Sequence, residues 1–98
     1  MDRDTIVARL RHAEGALRRR GVSHAALFGS TARGDADADS DIDILVDLDP
    51  EVVRTVFDYA GVKRYIADMF DRSVDVVDRE GLKPHVRASA MADAVHAF

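Results

Sequence analysis

Ninety-eight residues, 47% hydrophobic and 33% charged, describe a globular chain and exclude a fibrous or low-complexity polymer. A formal net charge of −4, from 14 Lys and Arg against 18 Asp and Glu, argues against non-specific nucleic-acid binding, which needs clustered cations. With no cysteine there is no disulfide framework or thiolate metal site, and no apolar run reaches the roughly 18 residues of a membrane span.

In chain order, Met1-Asp2-Arg3-Asp4 has no apolar segment behind it, so a signal peptide is not expected and the compartment is read as cytoplasmic. Residues 4–20 place Ile6, Leu10, Ala13 and Leu17 at helical spacing before Gly21, predicting one helix. Arg18-Arg19-Arg20 reads as a solvated last turn complementing the helix dipole, with a partner- or RNA-facing patch as the alternative. Val22 to Phe28 is a short apolar run closed by glycine, a buried strand. Residues 29–40, rich in Gly, Ser and Asp, read as a loop that opens with a helical turn. Asp41 to Leu48 alternates: Ile42, Ile44, Val46 and Leu48 share one face, and Asp41, Asp43, Leu45 and Asp47 the other.

Asp49-Pro50 is a turn, and Pro50 suits the first position of a helix to about Phe70, with Val53, Phe57, Ala60, Ile66 and Phe70 inward and Gly61 a weak point. Ser73 to Val77 is a third strand that sets Val74 and Val76 against Asp75 and Val77. Leu82 to His96 reads as a closing helix with Pro84 early in it. The order predicts an α+β (α/β two-layer) domain over residues 1–98, a small mixed β-sheet of about three to four strands flanked by helices.

The chemistry concentrates in three places. Gly29-Ser30 follows the first strand, where glycine permits close approach to a phosphate and a helical turn starting at Ser30 offers free N–H groups and a hydroxyl. Asp41 and Asp43, two apart on a strand, point to one side with about 7 Å between their Cα atoms. Asp75 on the next strand adds a third carboxylate. Such a cluster repels itself unless a cation resolves it, and Mg²⁺ takes carboxylate and phosphate oxygens together. Asp35, Asp37 and Asp39 read instead as a solvated loop. An EF-hand fails, because frames starting at Asp37 or Asp39 put Ile42 or Ile44 where glycine is required. His12, His24, His85 and His96 have no ligand spacing and read as structural or surface residues.

Leu27-Phe28-Gly29-Ser30-Thr31-Ala32-Arg33-Gly34, followed by Ser40-Asp41-Ile42-Asp43-Ile44-Leu45-Val46, resembles the signature of the DNA polymerase beta-like nucleotidyltransferase superfamily, most of all its minimal nucleotidyltransferase (MNT) branch. The likeness continues through Phe57-Asp58-Tyr59-Ala60-Gly61, Ser73-Val74-Asp75-Val76-Val77 and Gly81-Leu82-Lys83-Pro84. It implies the nucleotidyltransferase fold, with Gly29 and Ser30 binding the nucleoside triphosphate and with Asp41, Asp43 and Asp75 as catalytic carboxylates holding two magnesium ions. Arg33 matches the pattern as a triphosphate contact or as a salt bridge bracing the acidic loop. Asp71 stands where many relatives have glycine, a place an aspartate tolerates in the left-handed region.

MNT proteins often act as the antitoxin (MntA type) of a HEPN-domain toxin. The resemblance therefore implies a protein adenylyltransferase, moving AMP from ATP to a partner residue, commonly tyrosine. Larger relatives carry an extra helical domain for the acceptor. None follows here, so the acceptor is expected from another chain in a homo- or hetero-oligomer, with neither membrane nor nucleic acid as direct partner. The alternative is a non-catalytic antitoxin that neutralises its partner by contact, with the nucleotide site vestigial or regulatory.

Overall fold

A computed structural model describes residues 2–35, 37 and 40–98, so Asp39 of the expected acidic loop lies outside the described residues. Asp2 caps the first helix, its carboxylate accepting from the Thr5 N–H at 2.9 Å. Helix α1 (Arg3–His12) buries Ile6, Val7 and Leu10, and α2 (Glu14–Arg19) buries Leu17. The single helix expected over 4–20 is thus two. The Ala13 amide is shared between the Arg9 and Leu10 carbonyls at 3.1 and 3.2 Å, which tightens the turn and redirects the chain. The arginines here are mostly engaged. Arg18 lies over Phe98 and Arg20 over Tyr65, with ring-centroid distances of 5.2 and 4.2 Å. Arg3, Arg9 and Arg11 donate to the carbonyls of Ala32, Met69 and Ala97, stitching the helix to three remote segments.

The mixed sheet has four strands: β1 (Val22–Phe28), β2 (Ile42–Leu48), β3 (Val74–Asp78) and β4 (Val95–His96), in the order β3-β2-β1-β4. β1 runs antiparallel to β2 and β4, whereas β2 and β3 are parallel. A parallel pair needs a crossover, and α4 (Val56–Ala67) supplies it. The face that carries Ala25, Leu27, Ile42, Ile44, Val46 and Val76 forms the core with Ile6, Leu10, Leu17, Val62 and Ile66 from α1, α2 and α4. The opposite face carries α5 (Pro84–Asp93) beside β1 and the five-residue helix α3 (Gly29–Arg33), and is otherwise more open.

Four further expectations are corrected. The helix expected from Pro50 starts at Val56, because Thr55 and Asp58 form a reciprocal capping box that satisfies two orphan amides at once. The helix meets the core through Val62 and Ile66, so Phe57, 84% exposed, and Ala60, both expected inward, lie on the surface. The closing helix ends at Asp93. Ala94 is extended, and Val95–His96 become a strand pairing with Leu27 and Ala26 of β1. Asp71 does not use the left-handed region, since no non-glycine described residue has positive φ.

Tyr59 reaches from α4 to the outer side of β3, where its hydroxyl donates to the Val76 carbonyl at 3.3 Å and accepts from the Asp78 amide at 3.1 Å. Among the described residues no helix is long and apolar enough to cross a membrane.

Candidate functional site

β1 ends at Phe28, and the chain swings into α3 through Gly29 at φ 74°. The antiparallel register sets Phe28 opposite Asp43, so this turn rests against the Asp43 carboxylate. A Cβ on Gly29 would stand 2.4 Å from Asp43 Oδ2 and 3.2 Å from its Cγ. Positive φ and lack of space together admit glycine and little else.

The parallel register of β2 and β3 places Asp75 directly across from Asp43. Asp41 precedes β2, which begins at Ile42, one residue later than the alternation suggested, and Asp41 is exposed. Asp43 is half-buried. Burial pushes its carboxyl above the usual carboxylate range, and the negative charges of Asp75 and Asp41 push it further, with only Arg33 opposing. Asp43 therefore feels the charges of both Asp75 and Asp41. Among the described residues, no three carboxylate or imidazole side chains are drawn close enough to hold a metal as they stand. Ser30 lies half-buried in the first turn of α3, beside Gly29.

Arg33, in the last turn of α3, donates to Asp35 at 3.3 Å and to Asp93 of α5 at 3.2 Å. Both carboxylates raise the pKa of its guanidinium. Arg33 therefore braces the start of the acidic loop and fastens α5 to α3. At the far end of that loop Arg72 donates to the carbonyls of Asp37 and Ser40, holding the return into β2. Sequence reasoning missed Asp93 and Arg72, since neither has a spacing that ties it to the Gly29 turn.

Among the histidines, His85 is a surface residue, as read, and stands next to the Gly29 turn. His85 and Ser89 of α5 line a cleft of about 390 Å³ with Phe28, Gly29, Arg33 and Asp93. The one sequence signal was position: His85 follows Pro84, the start of the helix that packs beside Gly29.

With this geometry in place, the chain matches the family of the nucleotidyltransferase domain over residues 10–96. It belongs to that family. The nucleotidyltransferase domain superposes on the structure of a candidate minimal nucleotidyltransferase with a TM-score of 0.80 and 35% identity, covering 97% of this chain and 95% of the other. It also resembles a toxin–antitoxin crystal structure with AMP-PNP, at TM-score 0.64 and 22% identity over 90% of this chain and 72% of that one. An MntA–HpeT toxin–antitoxin mutant gives TM-score 0.66 and 18% identity over 90% and 71% of the two chains. Those two more distant likenesses speak to the fold alone. No curated protein matches the chain.

Proposed function

We propose that this nucleotidyltransferase domain transfers AMP from ATP to a hydroxyl side chain of a protein partner, a HEPN-domain toxin, and so acts as an antitoxin. One observation carries the reading: the Gly29 turn, built for close approach, is pressed against Asp43, which sits in register with Asp75. A triphosphate bound at this turn would be repelled by the neighbouring carboxylates, and a bound divalent cation would offset that repulsion. The donor set is all oxygen, which suits magnesium.

Asp41, Asp43 and Asp75 would hold that metal; bound there, it supplies charge neutralisation of the triphosphate and a lowered pKa for the attacking hydroxyl. Gly29 and Ser30 hold the β- and γ-phosphates through backbone amides and the serine hydroxyl. The acceptor oxygen forms a bond to the α-phosphorus while the bond to the bridging oxygen breaks. Pyrophosphate leaves, and the hydroxyl proton passes to Asp75. Arg33 needs only to exchange its carboxylate partners for phosphate oxygens to join the site.

A second reading, neutralisation by contact, draws on the exposed apolar residues Val52, Val56 and Phe57. One experiment separates the two. The partner is incubated with this protein and ATP, then separated and weighed by mass spectrometry. Transfer predicts a stable nucleotidyl adduct and a partner that stays inactive, and Asp43→Ala should lose both. Full neutralisation by Asp43→Ala without ATP, reversed on separation, would establish contact instead.

A further inference from the structure

We propose that a second cleft on the open face, beside the carboxylate row, receives the nucleobase of the bound triphosphate. This rests on the nucleotidyl-transfer reading and adds to it the site that selects the nucleoside. Along β2 the side chains of Asp43, Leu45 and Asp47 share one face, and Leu45 lies about 7 Å from Asp43 in the direction away from Asp41. The cleft opens over this stretch with a volume of about 410 Å³. Its lining is mainly apolar: Ala26 and Leu45 from adjacent strands, both nearly fully buried, lie at its base, and Met91 of α5 and Phe98 supply the walls. Its rim is polar. His96 pairs with Ala26 across β1 and β4, His24 lies two residues before Ala26 on β1, and Arg79 donates to Asp47 at 2.6 Å.

None of these rim groups has a part in holding phosphate or metal. A flat apolar floor with a hydrogen-bonding edge suits a planar heteroaromatic ring: the ring face lies on aliphatic carbon while its edge meets imidazole, carboxylate or guanidinium.

The topology supplies the direction. The order β3-β2-β1-β4 puts the Gly29 turn, and with it the leaving pyrophosphate, at the end of β1. In-line displacement then requires the acceptor on the opposite side, toward β3 and Asp75. The remaining path from the α-phosphorus runs along β2 from Asp43 past Leu45, and the cleft lies on it.

The test compares ATP with tripolyphosphate, each with magnesium, by titration calorimetry; tripolyphosphate reports the phosphate site without a base. Met91→Trp narrows the cleft from the helix side. It should weaken ATP by about tenfold or more while tripolyphosphate stays within about twofold. The double substitution His24→Ala with His96→Ala, at exposed positions that spare the core, should alter the ranking of ATP, GTP, CTP and UTP. Equal binding of ATP and tripolyphosphate by the wild-type protein would overturn the proposal and leave the transfer reading standing. So would a folded Met91→Trp that treats both ligands as wild type does, with the nucleotide ranking of the histidine variant unchanged. Binding of neither ligand by the wild-type protein would instead refute the transfer reading, and this inference with it.

Discussion

On the helix-covered face β2 contributes Ile42, Ile44 and Val46, none more than 1% exposed, whereas on the other face the same strand contributes Asp43, Leu45 and Asp47. A period of two divides seven residues between two physical regimes. On the first face, strand propensity, burial and packing agree at every position. On the second they conflict, because Asp43 is half-buried beside two like charges and its carboxyl is pushed above the ordinary range. Local conflict inside an otherwise consistent fold marks residues kept for something other than folding.

The contrast can be broken most forcefully at Ile44. Ile44→Ala removes a fully buried side chain and should cost about 2–5 kcal/mol in urea unfolding. A loss below about 1 kcal/mol would show that the covered face is not the core. Asp43→Asn probes the other regime. Transfer of labelled nucleotide should fall by roughly a hundredfold or more, equivalent to about 2.7 kcal/mol of barrier. Without metal the melting temperature should hold or rise, because the substitution relieves repulsion. Unfolding of that variant would place Asp43 among the structural residues.

Gly29→Ala tests the seam between the regimes. The left-handed conformation and the 2.4 Å approach to Asp43 should cost about 1–3 kcal/mol and weaken magnesium–tripolyphosphate binding. A variant that is as stable as wild type and binds normally would remove the turn from the site. Smaller still is the α4 cap, where Thr55→Ala should cost about 0.5–2 kcal/mol in thermal unfolding. Its partner Asp58 adds a pH signature. The Arg54 amide, then the Thr55 amide and hydroxyl, hold the Asp58 carboxyl below its ordinary 3.8. A depressed folded pKa stabilises fully above the unfolded value and fades as pH falls through the folded one. Asp58→Asn should therefore be less stable than wild type at neutral pH, and the two should converge below pH 3.8. A gap that persists in acid would assign the effect to packing.

Much of this was legible in the residues. The alternation over Asp41–Leu48 assigned both faces of β2 within one residue, because a side-chain period is a local property. The glycine after an apolar run located the turn that abuts Asp43. What escaped depended on partners distant in sequence or on competition between local signals. At the start of α4, Pro50 and the Thr55–Asp58 box both offered a beginning, and the box prevailed. Val95–His96 sit in an alanine-rich stretch with helical propensity and become a strand because β1 offers them an edge. The break at Ala13 has only Gly15, two residues on, as a local signal, and a lone glycine is tolerated within a helical pattern. Arg33 matched a pattern, but its engagement by Asp93, 60 residues away, could be seen only in three dimensions.

The Tyr59 hydroxyl also bears on how this protein meets others. A free strand edge is a template on which a foreign strand can dock and extend the sheet. Tyr59 occupies the outward carbonyl of Val76 and the outward amide of Asp78, and the far border is the two-residue β4. Neither border offers a run of unpaired backbone long enough to template such growth. Self-association through sheet extension is thereby disfavoured, and an incoming protein must engage side chains and helix surfaces instead, a mode that single substitutions can tune without disturbing the sheet.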